Sequence, residues 1–384
     1  MFRFENMRGI IRALILATIL WSVFPQVVIA EEKKPINHVF LISVGGLNQE
    51  GFKGNPLPNL KYLMMEGSAC EKTLAIRSDT MEAAEASLLT GALVNEHKHL
   101  TVNDKVEVES ILDVLKKKGK SMLVVDGSGG KLNSFAYGEK EYRKLDTKAT
   151  SKDIMDEAFK SFSQYKPFFS YVYIDDCTDA LLRLDQNDYY KAIRNFDSQL
   201  GAFVKKLKDS GIYNESLIIV TSARSTSSSN LVPLTIYGPG CKANYSMSGA
   251  MIIDVAPTIC RLIGMESPSA SRGIPIYSSF TVGEENKQAL TNSWIKDLQK
   301  DRQSNWNMNY RLEDELNRTN RLMAAMKEEK QSVFDFAGER EQLIIGLKSK
   351  MTVERSIWGG IILLMLAGYV GEFVFLKRKY LLFK

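Results

Sequence analysis

A short apolar strand that ends in paired glycines constrains this fold more than any other feature of the sequence. Residues 39–44 are apolar and mostly branched, and Gly45 and Gly46 follow directly. Such a run predicts a strand buried on both faces, as in a parallel sheet. In open α/β sheets, ligands bind beyond the carboxyl ends of the strands. We therefore expect the Gly45–Gly46 loop to lie at the functional edge of the domain.

Strand and helix signals alternate from about residue 35 to residue 280. Short apolar runs predict strands, and apolar residues spaced three and four apart predict helices. The predicted strands cover residues 121–126, 167–176, 216–222 and 231–237, and the predicted helices cover residues 58–67, 80–90, 109–118, 151–165, 185–211 and 251–263. This alternation is typical of an α/β domain in which helices cover both faces of a mostly parallel sheet.

The two ends of the chain carry targeting and membrane signals. Residues 1–30 combine arginines, an apolar stretch and a small-residue ending, which predicts a secretory signal peptide, with an uncleaved anchor as the alternative. Residues 357–376 are nearly all apolar and long enough to form a transmembrane helix. Basic residues in the tail, 377–384, predict a cytoplasmic C-terminus and a periplasmic or extracellular α/β domain on a single-pass membrane protein.

Between the domain and the span, the polar segment 284–351 predicts a helical stalk, since it contains no proline. A seam with alternating spacing of four and three runs along it: Leu312, Leu316, Thr319, Met323, Met326, Lys330, Val333, Ala337, Arg340, Ile344, Leu347 and Met351. Most of these residues are apolar, which favours a coiled coil and a homo-oligomer. Because Lys330 and Arg340 interrupt the seam, a single helix packed back onto the domain is the alternative.

Charge and cysteine content narrow the range of partners. The net charge is +5, and no basic stretch is interleaved with aromatic residues as in a nucleic-acid groove, so we expect no nucleic-acid partner. The four cysteines show no zinc-ligand spacing and allow three disulfide pairings: Cys70, Cys177, Cys241 and Cys260. Buried thiols are the interpretation that we favour.

Four motifs follow one another in the order found in a known family. They are Ser-Val-Gly-Gly-Leu at 43–47, Pro-Asn-Leu at 58–60, Ser-Leu-Leu-Thr-Gly at 87–91 and Val-Pro-Leu-Thr-Ile-Tyr-Gly-Pro-Gly at 232–240. In this order the chain resembles the type I phosphodiesterase / nucleotide pyrophosphatase branch of the alkaline phosphatase superfamily. The resemblance covers roughly 240 residues and implies an alkaline phosphatase-like α/β fold.

Enzymes of this family hold two zinc ions with Asp and His ligands and attack phosphorus with a Thr or Ser. The resemblance places Gly45 where the first metal-binding Asp belongs and Met81 where the nucleophile belongs. The sequence has three histidines, His38, His97 and His99, and the resemblance makes neither of the first two a zinc ligand. Both the first ligand and the nucleophile of the family are therefore replaced.

The other two metal-binding segments are altered as well. The acid of the family is kept at Asp175 or Asp176, but residues 179–180 are Asp-Ala where a Gly-His pair is expected. The family segment Thr-Ser-Asp-His-Gly is Thr-Ser-Ala-Arg-Ser here, so that Ala223 replaces the Asp and Arg224 replaces the His. Several ligands are therefore replaced together.

These replacements predict a pseudoenzyme without zinc that acts as a binding or scaffolding module at the cell envelope, with an envelope protein as a candidate partner. The alternative is a divergent phosphate-ester hydrolase, a phosphodiesterase or phosphatase with Thr80 as the nucleophile and a reduced zinc site. Thr80 is adjacent to Met81, and one step along a helix rotates a side chain by about 100°.

One positive charge replaces a metal ligand in this site. Arg224 can pair with phosphate or carboxylate oxygens through its planar guanidinium group. With the hydroxyls of Thr221, Ser222 and Ser225, and that of Thr80, it predicts a metal-independent anion-binding pocket. The alternative is an internal ion pair between Arg224 and Asp175 or Asp176.

Overall fold

A computed structural model describes residues 35–136, 141–183, 185–225, 230–281 and 286–380 of the chain. The predicted signal peptide at residues 1–30 and the last four residues of the predicted tail lie outside these ranges.

Eight strands form one sheet in the described part of the chain. They are β1 (His38–Val44), β2 (Ser68–Leu74), β3 (Met122–Asp126), β4 (Tyr142–Lys144), β5 (Phe169–Ile174), β6 (Ser216–Thr221), β7 (Leu231–Tyr237) and β8 (Tyr245–Ser246). Their order is β4-β3-β5-β1-β6-β7-β2-β8. β7 is antiparallel to both β6 and β2, and all other neighbours are parallel. The predicted mostly parallel sheet is therefore confirmed.

The described helices are α1 (Gln49–Lys53), α2 (Pro58–Glu66), α3 (Met81–Thr90), α4 (Val94–His97), α5 (Ile111–Lys117), α6 (Ser151–Tyr165), α7 (Asp176–Leu182), α8 (Gln186–Asp209), α9 (Val255–Leu262) and α10 (Lys287–Tyr380). Each long predicted helix is present with shifts of a few residues at its ends. The first turn of the helix predicted at 251–263 is instead a 3₁₀ turn, Ile252–Asp254.

Helices cover both faces of the sheet because successive strand residues point to opposite sides. Val39 and Leu41 of β1 pack in one apolar cluster with residues of α3, α5 and α9. Phe40 and Ile42 pack in the other cluster with residues of α6 and α8. β1 is thus buried on both faces, as its uninterrupted apolar sequence predicts.

Contacts divide the chain into two compact units, with the boundary between Arg302 and Gln303. The first unit contains the sheet. In the second unit the chain is helical as far as Tyr380, and the region Arg318–Tyr380 contains a segment that is long and apolar enough to cross a membrane. The predicted stalk and the predicted span at 357–376 therefore belong to one continuous helix.

The four cysteines all lie within the described ranges, and none of them takes part in a disulfide bond. Cys70, Cys177 and Cys260 are buried, and Cys241 is partly buried. Burial raises the pKa of the Cys260 thiol to about 12, so that this sulfur is an inert part of the core.

Candidate functional site

The carboxyl ends of three central strands lie side by side at one edge of the sheet. Val44 of β1 pairs with Ile174 of β5, and Ser43 pairs with Thr221 of β6. The amide of Gly45 then donates a hydrogen bond of 2.8 Å to the carbonyl of Ile174. The loops that follow these strands are therefore held close together, as the parallel pairing predicts.

The space beside Gly45 is filled by other side chains. A Cβ atom at Gly45 would lie 2.3 Å from Thr178 Oγ1, 2.6 Å from Tyr173 Oη and 3.1 Å from Asp175 Oδ1. Real Cβ atoms do not approach other heavy atoms within 3.0 Å, because their van der Waals spheres would overlap. A side chain at position 45 would therefore require the neighbouring side chains of Thr178 and Tyr173 to move.

Asp175 has partners of its own at this edge. Its Oδ1 accepts a hydrogen bond of 2.8 Å from Tyr173 Oη, and Lys131 Nζ lies 4.0 Å from its Oδ2. Burial raises the pKa of the Asp175 carboxyl, an effect that the hydrogen bond and the nearby ammonium group oppose. No motif in the sequence points to Lys131, because its proximity to Asp175 depends on the pairing of β3 with β5.

Asp176 is engaged in a helix contact. Its carboxylate accepts hydrogen bonds of 2.8 Å from the backbone amide of Ser151 and of 2.7 Å from the Ser151 hydroxyl. Ser151 is the first residue of α6, where backbone amides lack partners within the helix. Asp176 therefore ties α7 to the start of α6.

A buried glutamate in α3 is the largest departure from what the sequence led us to expect. Glu85 is 1% exposed and accepts hydrogen bonds of 2.8 Å from the Ser43 hydroxyl and 2.5 Å from the Tyr171 hydroxyl. Burial raises the pKa of its carboxyl to about 7. In the sequence, Glu85 stands among small and apolar residues of α3. A carboxyl group buried in such a helix needs hydrogen-bond partners, and this pattern could have indicated the site.

Thr80 and Met81 form the start of α3. Thr80 is the N-cap residue: its Oγ1 accepts a hydrogen bond from the Ala83 amide at 3.4 Å and donates one to the Leu100 carbonyl at 2.6 Å. Met81 is the first helical residue and is 7% exposed. The hydroxyl predicted as the alternative nucleophile is thus committed to backbone contacts.

Two hydroxyl groups near Arg224 donate hydrogen bonds to backbone carbonyls. Thr221 Oγ1 donates to the Pro233 carbonyl at 3.0 Å, and Ser222 Oγ donates to the Arg224 carbonyl at 2.9 Å. Arg224 Nη1 donates to the Asp79 carbonyl at 3.0 Å, and its side chain is partly exposed. Ala223 is buried between these residues, and Ser225 is partly exposed.

The predicted alternative role of Arg224 was an ion pair with Asp175 or Asp176. Across the described ranges, its guanidinium group forms no ion pair with either acid. Asp175 has Lys131 as its nearest cation, and Asp176 binds Ser151. Neither acid supplies Arg224 with an internal counter-charge.

The histidines have structural partners. The buried His97 ring lies with Nε2 2.9 Å from the Ser87 hydroxyl of α3, and its Nδ1 accepts a hydrogen bond of 3.1 Å from the His99 amide. Burial lowers the pKa of His97 to about 4, so the ring is neutral at physiological pH. His38 begins β1, at the opposite end of the strand from Gly45, with Nδ1 3.0 Å from the Pro167 carbonyl.

Sequence comparisons identify no relative: no family model matches the chain, and no curated protein matches it. Solved structures do match. The domain has the alkaline phosphatase fold. An alkaline phosphatase superfamily protein from Vibrio parahaemolyticus is 19% identical, with a TM-score of 0.53 over 66% of this chain and 72% of that one.

Two further structures support this assignment of the fold. The lipoteichoic acid synthase LtaP from Listeria monocytogenes is 18% identical, with a TM-score of 0.52 over 64% of this chain and 77% of that one. Human ectonucleotide pyrophosphatase / phosphodiesterase 5 is 13% identical, with a TM-score of 0.52 over 66% of this chain and 99% of that one. At such identities the likeness concerns the fold alone.

The residues at this edge of the alkaline phosphatase fold do not suit the two zinc ions of the resembled family. Gly45, Ala223 and Arg224 offer no donor atom that binds zinc. Within the part of the chain that the structure describes, no three His, Cys, Asp or Glu side chains are grouped as metal ligands.

Proposed function

We propose that this chain is a membrane-anchored pseudoenzyme with an alkaline phosphatase fold, which acts as a binding or scaffolding module at the cell envelope. The observation that carries this proposal is the filled space beside Gly45, where a Cβ would lie 2.3 Å from Thr178 Oγ1. A carboxylate needs more room than a single carbon atom. Restoring the family's first metal ligand would require buried side chains of α7 and β5 to move.

The two candidate nucleophile positions support the same proposal. The thioether of Met81 has no proton to lose and cannot become an attacking oxyanion. The Thr80 hydroxyl donates to the Leu100 carbonyl and caps α3 through Ala83. Activation of Thr80 would cost both contacts, so the alternative of a divergent hydrolase has weaker structural support.

The membrane anchor supports placement at the envelope. Among the described residues, one helix is long and apolar enough to cross a membrane, and Lys377, Arg378 and Lys379 lie in its last turn. Positive charge beside a span favours the cytoplasmic side. We propose that the C-terminus is cytoplasmic, that the α/β domain is extracytoplasmic, and that the helix preceding the span mediates self-association.

Arg224 remains the candidate ligand-binding residue of this module. Its side chain is partly exposed and forms no ion pair with Asp175 or Asp176. Burial raises the pKa of the Glu85 carboxyl, and the charge of Arg224 acts on this carboxyl in the opposite direction and lowers its pKa. Thr221 and Ser222, in contrast, donate to backbone carbonyls. We propose that Arg224, next to Ser225 in the chain, binds an anionic group without metal. Thr221 and Ser222 would then shape the loop and make no contact with the ligand.

The full-length chain in detergent tests the loss of catalysis. After dialysis we expect far less than one zinc ion per chain and no hydrolysis of nitrophenyl phosphate or bis-nitrophenyl phosphate. Tightly held zinc, together with hydrolysis that Thr80→Val abolishes, would overturn the pseudoenzyme in favour of the hydrolase.

Two further measurements test the ligand and the topology. In the presence of a metal chelator, a phosphate ester should bind the wild type more tightly than Arg224→Ala. Equal binding to both proteins, or binding to neither, would rule out the anion pocket.

Protease added to intact cells, or to spheroplasts where an outer membrane is present, should digest the domain and spare a C-terminal tag. The reverse pattern would refute the proposed orientation.

A further inference from the structure

An exposed apolar face of α10 lies in the second unit, outside the site described above. The seam residues from Leu312 to Met351 all lie on this helix, and their described side chains are exposed; Met326, for example, is 70% exposed. Leu322, Phe336 and Leu343 flank the seam and are also exposed, which widens the apolar face. A helix with such a stripe is stable in water when a partner helix covers it.

Two cations interrupt the seam, and neither is neutralised within its own helix. Lys330 Nζ lies 5.8 Å from the centroid of the Phe334 ring, and the Arg340 guanidinium lies 6.0 Å from that of Phe336. Among the ion pairs of the described residues, none includes Lys330 or Arg340. Burial of this seam against an apolar partner would therefore leave two unpaired charges, which is costly.

The sequence neighbours of these cations supply the missing charges if the partner is a second copy. Glu329 directly precedes Lys330, and Glu341 directly follows Arg340. In a parallel coiled coil, each seam residue inserts into a hole formed by four residues of the facing helix. Arg340 lies seven residues after Val333 and therefore occupies the same kind of core position. Lys330 lies three residues before Val333 and occupies the other kind of core position.

These two positions have different flanking neighbours. For the position of Lys330, the hole includes the residue just before the equivalent seam residue of the partner helix. For the position of Arg340, it includes the residue just after it. In a parallel, in-register pair, Lys330 thus meets Glu329 of the second copy, and Arg340 meets Glu341 of the second copy. An antiparallel pair or a shifted register loses this match.

We propose that α10 binds a second copy of itself in parallel and in register, with Lys330–Glu329 and Arg340–Glu341 ion pairs between the copies. This inference rests on the self-association proposed above and is independent of whether the α/β domain is catalytic. The membrane span favours the same arrangement, since every copy is anchored in one orientation. The partner is thus identified by charge complementarity as a second copy of this chain.

Disulfide cross-linking of the full-length chain in membranes tests the register. Leu347→Cys lies on the seam near one end of the stripe, so that two copies place this residue side by side only when they are parallel and in register. Ser349→Cys, on the outer face of the same region, is the matched control. We expect cross-linked dimer from Leu347→Cys at about five times the level from Ser349→Cys, against a background from chains with native cysteines only.

The outcomes separate the register from self-association itself. Equal cross-linking at both positions would reflect random collision and would overturn the proposal. If neither position cross-links and the solubilised chain is monomeric, self-association fails together with its register. If the chain is oligomeric but Leu347→Cys gives no dimer, only the parallel register is refuted.

A charge exchange tests the ion pairs. Glu329→Lys places like charges together and should weaken self-association about fivefold, whereas Glu328→Lys, one residue away on the outer face, should have little effect. The double variant Glu329→Lys/Lys330→Glu restores opposite charges and should recover the dimer. Equal effects of the Glu328 and Glu329 variants, or no recovery in the double variant, would contradict the proposed pairs.

Discussion

The buried carboxyl of Glu85 should make the α/β domain less stable as the pH rises through neutrality. Burial raises its pKa from the ordinary value of 4.5 to about 7. At a pH between 4.5 and 7, Glu85 keeps its proton in the folded chain and releases it in the unfolded chain. The stabilising effect of the protonated carboxyl is therefore complete below pH 4.5 and is lost as the pH rises through 7. The full loss amounts to about 3 kcal/mol of unfolding free energy.

Glu85→Gln removes this ionisation and preserves the shape of the side chain. The amide resembles the protonated carboxyl, since it has one acceptor and one donor for the hydroxyls of Ser43 and Tyr171. Between pH 5 and pH 8 the wild type should lose about 2 kcal/mol relative to this variant. Glu82→Gln, a change at a partly exposed position of the same helix, should show no such difference.

Pulse proteolysis in urea at pH 5, 6, 7 and 8, with the full-length chain in detergent, measures the unfolding free energy of the domain in each variant. Other titrating groups, including His97, are present in all three chains and cancel in the comparison. A difference between wild type and Glu85→Gln that stays constant over this range would refute the argument. So would the same pH-dependent difference in Glu82→Gln.

Three further predictions concern Gly45, His97 and Thr80. Gly45→Ala should lower the unfolding free energy by about 2 kcal/mol, because its Cβ would meet Thr178 and Tyr173. A variant that unfolds at the same urea concentration as the wild type, or at a higher one, would contradict this. Burial lowers the pKa of His97 to about 4, so its stabilising effect is present above pH 6.5 and is lost as the pH falls towards 4. His97→Gln should therefore flatten the acid side of the stability profile, and an unchanged acid side would show that another group causes it. Thr80→Ala should cost about 1 kcal/mol through loss of the α3 cap, with Thr80→Ser as the control that keeps it, and equal stability of both variants would refute the capping role.

Much of the architecture is readable from the sequence because local patterns determine it. The apolar run at 39–44 lies in a strand buried on both faces, and the periodic residues at 151–165 form α6 with the predicted ends. β2 was missed because Ser68–Leu74 mixes polar and charged residues with apolar ones. α7 was missed because it is short and directly follows β5.

The sequence by itself determined which family residues are replaced and that a long apolar segment follows a polar helix. Only the tertiary structure decided what occupies the vacated positions. Thr178 and Tyr173 fill the space at Gly45, and Lys131 approaches Asp175, through contacts between segments far apart in the chain. Glu85 is paired with Tyr171 across 86 positions of sequence. No local pattern encodes such pairs, because they depend on strand order and register, which arise when distant apolar segments pack together.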